Sequence, residues 1–473
     1  MHSSIVRRCA LAGLLFVPSL ALGQARPAGG NMVPQPDDNV RPAAYESPAA
    51  GTVAPAPGER VYYEGSPSDA LLGGDFGAAC GPGGCGEAGC NHCGRFSGPM
   101  CGPFGQGCLG GLYVRGEYLL WGTKGMDLPA LVTTSPDGTS QPNAGVLGED
   151  GTDVLFGDES VNSDLRSGGK ITVGWWLDPC RRLGIEGDYF VLQDENNGFR
   201  QSSSGDTILA RPFYDIVDGT ENSSLTSFAG LTSGTIAADA ETRFRGAGVR
   251  TIYNLGCGDG MGTSCITCRP VTTGYRFDAI LGYRYLGVDD RLSVVEDATS
   301  LDSTASGSFL IRDLFDTENE FHGVDLGTSW SWCKGCFSLD LLGKVAIGNT
   351  RSRVRIDGST IITENGDSEQ FSGGILAQRT NIGEHTADEF AMAPELGVTV
   401  GYQINPCWRA TLGYNFLYWS RVARAGDQID RDLNPDLLPP EVGQVSTHLR
   451  PDFDLHYTDF WAQGMTVGLE GSW

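Results

Sequence analysis

From Gly111 onward, large apolar positions alternate with small or polar ones at a period of two, in segments broken by turns. Residues 112–121 put Leu112, Val114, Tyr118 and Leu120 on one face, and 165–177 put Leu165, Ile171, Val173, Trp175 and Leu177 there. Residues 183–192, 275–285, 337–348, 390–404 and 408–419 repeat the pattern, with further segments at 241–254 and 319–330. The tenth, "WAQGMTVGLEGSW" at 461–473, sets Trp461, Met465, Val467, Leu469 and Trp473 opposite Ala462, Gly464, Thr466, Gly468 and Glu470. Within 241–254 the phase slips near Gly246 and Gly248, which predicts a β-bulge there.

Alternation over about 9–11 residues suits a tilted strand crossing a bilayer, apolar side to lipid and alternate side to the lumen. The alternate side carries Arg115, Glu117, Lys170, Glu186, Asp188, Arg276, Asp278, Arg284, Asp340, Lys344, Glu395, Arg409 and Glu470. A secreted β-sandwich also alternates, but it turns its apolar face inward and needs no aromatic ends. The links favour the barrel. Between the second and third segments stands only "DPCRR", between the eighth and ninth only "NPC", and the fourth–fifth and sixth–seventh links are short as well. The links 122–164, 194–240, 288–318, 349–389 and 420–456 are long. Strict alternation of short and long predicts an all-β, antiparallel up-and-down transmembrane β-barrel of about 10 strands, or 12 if a long loop hides a hairpin, with both ends in the periplasm. Pro394 is expected to mark a bulge or a point above the bilayer, since a closed barrel has no edge strand to hold it. The last strand is expected to pair with the first. Its Met465, Val467, Leu469 and Trp473 resemble the C-terminal signals that the barrel-assembly machinery reads.

The N-terminal quarter differs. Residues 1–25 read as a signal peptide, with Arg7 and Arg8 before an apolar stretch and small residues near Gly23 and Ala25. Residues 26–70 are a Pro/Ala/Gly-rich disordered tether, 71–110 a Gly/Cys-rich periplasmic segment, and 111–473 the barrel. No later segment has the roughly 20 apolar residues of a spanning helix. The 68 glycines and the 19% of charged residues favour strands and turns. A formal charge of -25 speaks against nucleic acid and anionic headgroups as partners. The partners expected are outer-membrane lipid, the assembly machinery and, in a channel, small polar solutes.

Of 14 cysteines, Cys9 leaves with the signal peptide. Cys80, Cys85, Cys90, Cys93, Cys101 and Cys108 fill the Gly/Cys-rich segment, while Cys180, Cys257, Cys265, Cys268, Cys333, Cys336 and Cys407 all fall in links on the periplasmic side. An oxidising compartment and this placement predict a disulfide-linked plate beneath the barrel, with one thiol left over. The C-x2-C spacing of "CNHC", "CITC" and "CKGC" leaves zinc as the alternative. Catalytic motifs are missing: there is no G-x-S-x-G or H-E-x-x-H, and the histidines are scattered. No cofactor, metal or catalytic residue is assigned, and an outer-membrane hydrolase built around His322 is the least favoured reading. Calcium on "EDGTD" in the acidic 122–164 link is weighed against a plain solvated loop, which is preferred.

The stretches "RSGGKITVGWWLDPCRRLGIEGDYFVL", "FDTENEFHGVDLG", "FSLDLLGKVAIG" and above all "GYNFLYWSRVARAGDQIDRDLNP" resemble the β-barrel porin family abundant in planctomycete bacteria, over roughly 112–473. The resemblance implies an outer-membrane barrel and brings no catalytic residues. Two functions stay open: a narrow porin-like channel for small solutes, whose lumen charges line the pore, or a non-conducting structural envelope protein, whose charges pair across it and close it.

Overall fold

Strands that cross lipid have no water for their backbone N–H and C=O groups, so the sheet they form can have no edge. The computed structural model meets this condition. It describes residues 111–473 except 179, 264–269, 302–306, 365, 406 and 441–447; the signal peptide, tether, Gly/Cys-rich segment, Cys265 and Cys268 lie outside the described residues. Ten strands close into an antiparallel ring in chain order: β1 (Leu112–Thr123), β2 (Leu165–Trp176), β3 (Leu183–Leu192), β4 (Thr232–Thr263), β5 (Pro270–Ser300), β6 (Gly307–Lys334), β7 (Phe337–Glu364), β8 (Gly383–Asn405), β9 (Trp408–Val422) and β10 (Thr458–Ser472). Closure is made by β10 on β1, in register from Tyr113 opposite Ser472 to Thr123 opposite Ala462. Beyond that ladder, Gly111 N–H donates to the Trp473 carbonyl and Trp473 N–H to that of Leu112, both at 2.9 Å.

The apolar face of every segment points outward. Tyr118, Ile171, Val173, Tyr189, Val249, Leu281, Tyr283, Leu326, Trp330, Leu396, Val398, Leu412, Val467 and Leu469 are exposed, as a lipid-facing belt requires. Inward positions take the alternate residues. Several glycines on that side make room for an aromatic ring: a Cβ on Gly174 would lie 2.1 Å from the Tyr113 ring, and one on Gly246 would lie 2.3 Å from that of Phe190.

Three expectations change. The first concerns strand length, since β4 to β7 run for 32, 31, 28 and 28 residues, where about ten cross a bilayer. Much of 194–240, 288–318 and 349–389, expected as loop, is therefore sheet that continues past the membrane, joined by Glu195–Ser203 on β4 and Asp367–Ser372 on β7. The alternation hides there because its polarity inverts. On β5 the outward residues pass from Tyr275, Phe277, Leu281 and Tyr283 to Asp289 and Arg291, and the inward ones from Arg276, Asp278 and Arg284 to Leu286, Val288, Leu292 and Val294. Inside this extension, a second sheet of Val132–Thr134, Asp153–Phe156, Leu209–Asp215 and Thr220–Ser227 packs into an apolar core with Leu131, Ile236, Phe315 and Ile356.

The second correction is the bulge. The β4–β5 register is unbroken through Gly246 and Gly248 and shifts only between Asn254 and Gly256. Phe244 is buried on the inward side, and an apolar residue on the polar face imitates a slip of phase. The third is the bulge expected as one alternative at Pro394, which is absent: the residue stands opposite Val345 in an unbroken β7–β8 ladder. The β8–β9 ladder begins only at Glu395, so no regular bond is lost on that side; there, Met392 N–H donates to Ser420 Oγ at 3.0 Å.

The seam between β10 and β1 is tight at Gly464, where a Cβ would stand 2.2 Å from the Leu120 carbonyl oxygen. Gly464→Val is expected to lower the temperature of the heat-dependent gel shift of the folded barrel, at a cost of about 1–3 kcal/mol from overpacking. Gly116→Ala, with open space at its Cβ, should leave that temperature unchanged.

Candidate functional site: a filled barrel lumen

Strand parity brings all thirteen charges named from the sequence to the inward face, and most are deeply buried. Arg276, Arg284, Lys344, Glu395, Arg409 and Glu470 are exposed by 5%, 3%, 6%, 4%, 5% and 1%. Two further residues complete the set. Arg250 donates through Nε to Glu186 at 2.8 Å and through Nη1 to Asp188 at 2.6 Å. Asp325 pairs with Lys344 at 3.1 Å, whose ammonium also meets Glu395 at 3.0 Å. Arg284 holds Glu395 from the other side at 2.7 Å, Arg276 holds Asp278 at 2.7 Å, and Arg409 reaches Asp340 and Ser338. Arg115 lies 3.5 Å from Glu117 and 3.6 Å from Glu470, and Tyr113 donates its hydroxyl to Glu186. Lys170 is half-buried on the same face. Seven cations (Arg115, Lys170, Arg250, Arg276, Arg284, Lys344, Arg409) thus face eight carboxylates (Glu117, Glu186, Asp188, Asp278, Asp325, Asp340, Glu395, Glu470), nearly neutral within a strongly acidic chain.

Sequence reasoning missed Arg250 because the supposed slip at Gly246 removed it from the count; strict parity from Arg250 to Ile252 finds it. Asp325 stands between the outward Val324 and Leu326, a parity that marks it as inward.

An apolar layer caps this network. Leu119, Trp121, Phe190, Phe244, Leu286, Phe321, Leu417, Trp419 and Phe460 are buried together inside the ring. Their rings form a chain, with centroids 5.7 Å apart for Trp121 and Phe190, 5.2 Å for Phe190 and Phe244, and 4.9 Å for Phe244 and Phe460. Arg284 lies over the Phe190 ring from the charged side, and Arg424 over Phe460 from the other. Arg424 comes from the segment after β9. It pairs with Asp290 and donates through Nη1 to the carbonyls of Gly125 and Lys124 at 3.0 and 3.2 Å, tying the first and last long links to β5. Asn319 adds a clamp, donating to the carbonyls of Val288 and Ala423 and accepting from Ser352. Farther out, Arg211 and Asp313 form a salt bridge at 2.6 Å, and Asp313 accepts backbone N–H bonds from Ile375, Leu376 and Ala377. Glu296 is buried beside them.

The other expected positions are scattered. Cys180, Cys257 and Cys407 are in disulfides, Cys333 is buried, and Cys336 is an exposed free thiol. Cys336 departs from the disulfide expectation: it follows Gly335, at φ +62°, on the tip of the β6–β7 turn and projects to solvent. His322 is on the outer face, within hydrogen-bond reach of the Tyr283 hydroxyl and packed on the Tyr285 ring. Among the described residues, no three His, Cys, Asp or Glu converge as metal ligands, and Asp153 of "EDGTD" belongs to a short strand.

A closed ten-stranded ring with an apolar belt outside and paired charges inside defines a transmembrane β-barrel of the outer-membrane type. The chain belongs to the family described as "Putative beta barrel porin-7 (BBP7)", whose model matches residues 113–473. A search of curated proteins finds no match. Among solved structures, the chain is similar to the outer membrane protease OmpT from Escherichia coli, with 9% identity and a TM-score of 0.35, over 77% of this chain and 98% of that one.

Removing one member of a buried charge cluster strands its partners. Arg250→Met is expected to lower stability to urea in detergent or lipid by about 3–5 kcal/mol, and adding Glu186→Gln and Asp188→Asn should recover much of that loss. Outside the membrane, burial pushes the Glu296 carboxyl above its usual value; Arg211 and the nearby Thr226 hydroxyl oppose this, and Asp313 adds to it. The folded chain therefore keeps this proton at pH values where the unfolded chain has lost it. The contribution is complete below the ordinary glutamate value and is lost as pH rises through the folded one. Glu296→Gln should accordingly gain stability over the wild type as pH rises from about 5 to about 8 in parallel urea titrations.

Proposed function

We propose that this barrel is non-conducting at rest and serves as an envelope anchor that carries a β-structured external head. The observation behind this reading is the burial of the lumen charges. A water-filled pore would wet Arg284, Lys344, Glu395 and Glu470, whereas each is at most 6% exposed and is engaged by opposite charge. The aromatic layer above them adds a second barrier. Hydrophobic constrictions of this kind shut channels by excluding water.

The family's description favours a second reading, a narrow channel for small solutes, which would require the aromatic layer and the segment carrying Arg424 to move aside. A hydrolase has the least support, because His322 is paired with tyrosines on the outer face. Planar-bilayer recording of the folded full-length protein separates the first two. The expected trace has no unitary steps, while Phe190→Ala combined with Phe244→Ala and Phe460→Ala should produce them. Steady ohmic conductance from the wild type at low voltage would defeat the sealed-barrel reading in favour of the channel.

A further inference from the structure

The outer face of the external extension carries a cleft of about 690 Å3 that the sealed lumen does not use. It is formed where β5, β6 and β7 run side by side and the strand Asp367–Ser372 is added to β7. The register sets Arg291 beside Asp316 and Asp316 beside Arg355 in one row, and Arg312 beside Ser359 and Ser359 beside Ser372 in another. Leu314, on the same face, is buried at its floor, and Phe371 lines it with Gln370.

The charges there are unevenly matched. Arg355 pairs with Asp357 at 3.2 Å and Arg291 reaches Asp316 only at 3.9 Å, both well exposed. Arg312 is exposed and makes no ion pair among the described residues. Three guanidiniums against two carboxylates leave a local positive excess on a chain of charge -25. Neighbouring arginines of the outer face are paired, with Arg243 on Glu241 at 2.7 Å, Arg245 on Asp289 at 2.5 Å, and Arg353 on Glu318 and Glu384 at 3.1 Å each. A polyanionic leaflet would want a broad row of free cations. A single free guanidinium in a cleft suits one acidic group on a discrete ligand.

We propose that this cleft binds an anionic saccharide. Its carboxylate or sulfate would take the planar fork of Arg312, with Arg355 beside it. The sugar ring would lie on Leu314, and its hydroxyls would find Gln370, Ser372, Ser359 and the carboxylate of Asp316. The volume lies within the range of about 300–1,000 Å3 common for ligand clefts. This site is outside the lumen, so it holds whether or not the barrel conducts.

Isothermal titration of the full-length protein in detergent micelles tests it, with tetragalacturonate, maltotetraose and inorganic sulfate as probes. Saturable binding of tetragalacturonate is expected, with affinity about tenfold or more above both other probes and falling by a similar factor in Arg312→Ala and in Arg355→Ala. Arg450→Ala, whose partner Asp430 is away from the cleft, should bind as the wild type does. The heat-dependent gel shift identifies variants that fold, and either cleft variant suffices if the other does not. The proposal is overturned by absence of saturable tetragalacturonate binding, by equal binding of maltotetraose or sulfate, or by full affinity in a folded cleft variant.

Discussion

Closure of the sheet is the constraint on which everything else in this molecule depends. Inside lipid, an unpaired backbone group costs several kcal/mol, so ten strands that pair only with neighbours would fail at the two that end the row. The β10–β1 ladder removes that failure, and its demands extend into the sequence. It needs Gly464 where the Trp121 backbone approaches, and it uses the last residue, Trp473, to complete main-chain pairing with Leu112. Once the ring is shut, its strand number fixes how much interior there is to fill. Ten strands enclose more than side chains alone would fill in an eight-stranded barrel and less than a wide aqueous channel. The chain fills that intermediate space with arginines, paired carboxylates and aromatic rings.

The same closure explains which parts of the fold were legible. Where the strands cross lipid, large apolar residues must point outward, and residues 112–121, 183–192 and 408–419 display this without ambiguity. Past the membrane the solvent changes while the strand continues, so the face that met lipid meets water and the inward face can become apolar. Asp289 and Arg291 on one side, with Leu292 and Val294 on the other, are as regular as Tyr283 and Arg284, but the rule used to find strands has changed sign. That is why 288–318 reads as a loop in sequence and stands as sheet in the structure. Phe244 is the local case: a residue of the inner apolar layer on a face that is otherwise polar, it imitates a change of phase in a strand whose register is unbroken.

The lumen charges were legible as residues, though not as pairs. Parity alone orients Arg284 and Glu395 inward, but which of them meet depends on the register of strands far apart in the chain. Arg424 shows the limit more sharply. It lies in a link, has no strand parity, and finds Asp290 across 134 residues of sequence. The stretch from Gly413 to Pro435 was the most distinctive in the chain, and its structural work is this return of the link into the barrel mouth, where Arg424 and Asn319 fasten it.

Buried ion pairs of this kind are poor sources of net stability, because desolvation offsets most of the attraction. Their use here follows from assembly and geometry. Arg250 stands directly opposite Glu186, and Lys344 opposite Glu395, on neighbouring strands, so these pairs hold only in the native register, while Arg284 meets Glu395 across the lumen of the closed ring. A slip by one residue would turn every charge toward lipid and every belt residue inward. The network thus makes wrong registers costly, and a lumen filled by paired charges is its geometric consequence. On the sealed-barrel reading, what remains open to a ligand is the outward face of the extended sheet, where Arg312 makes no close ion pair among the described residues.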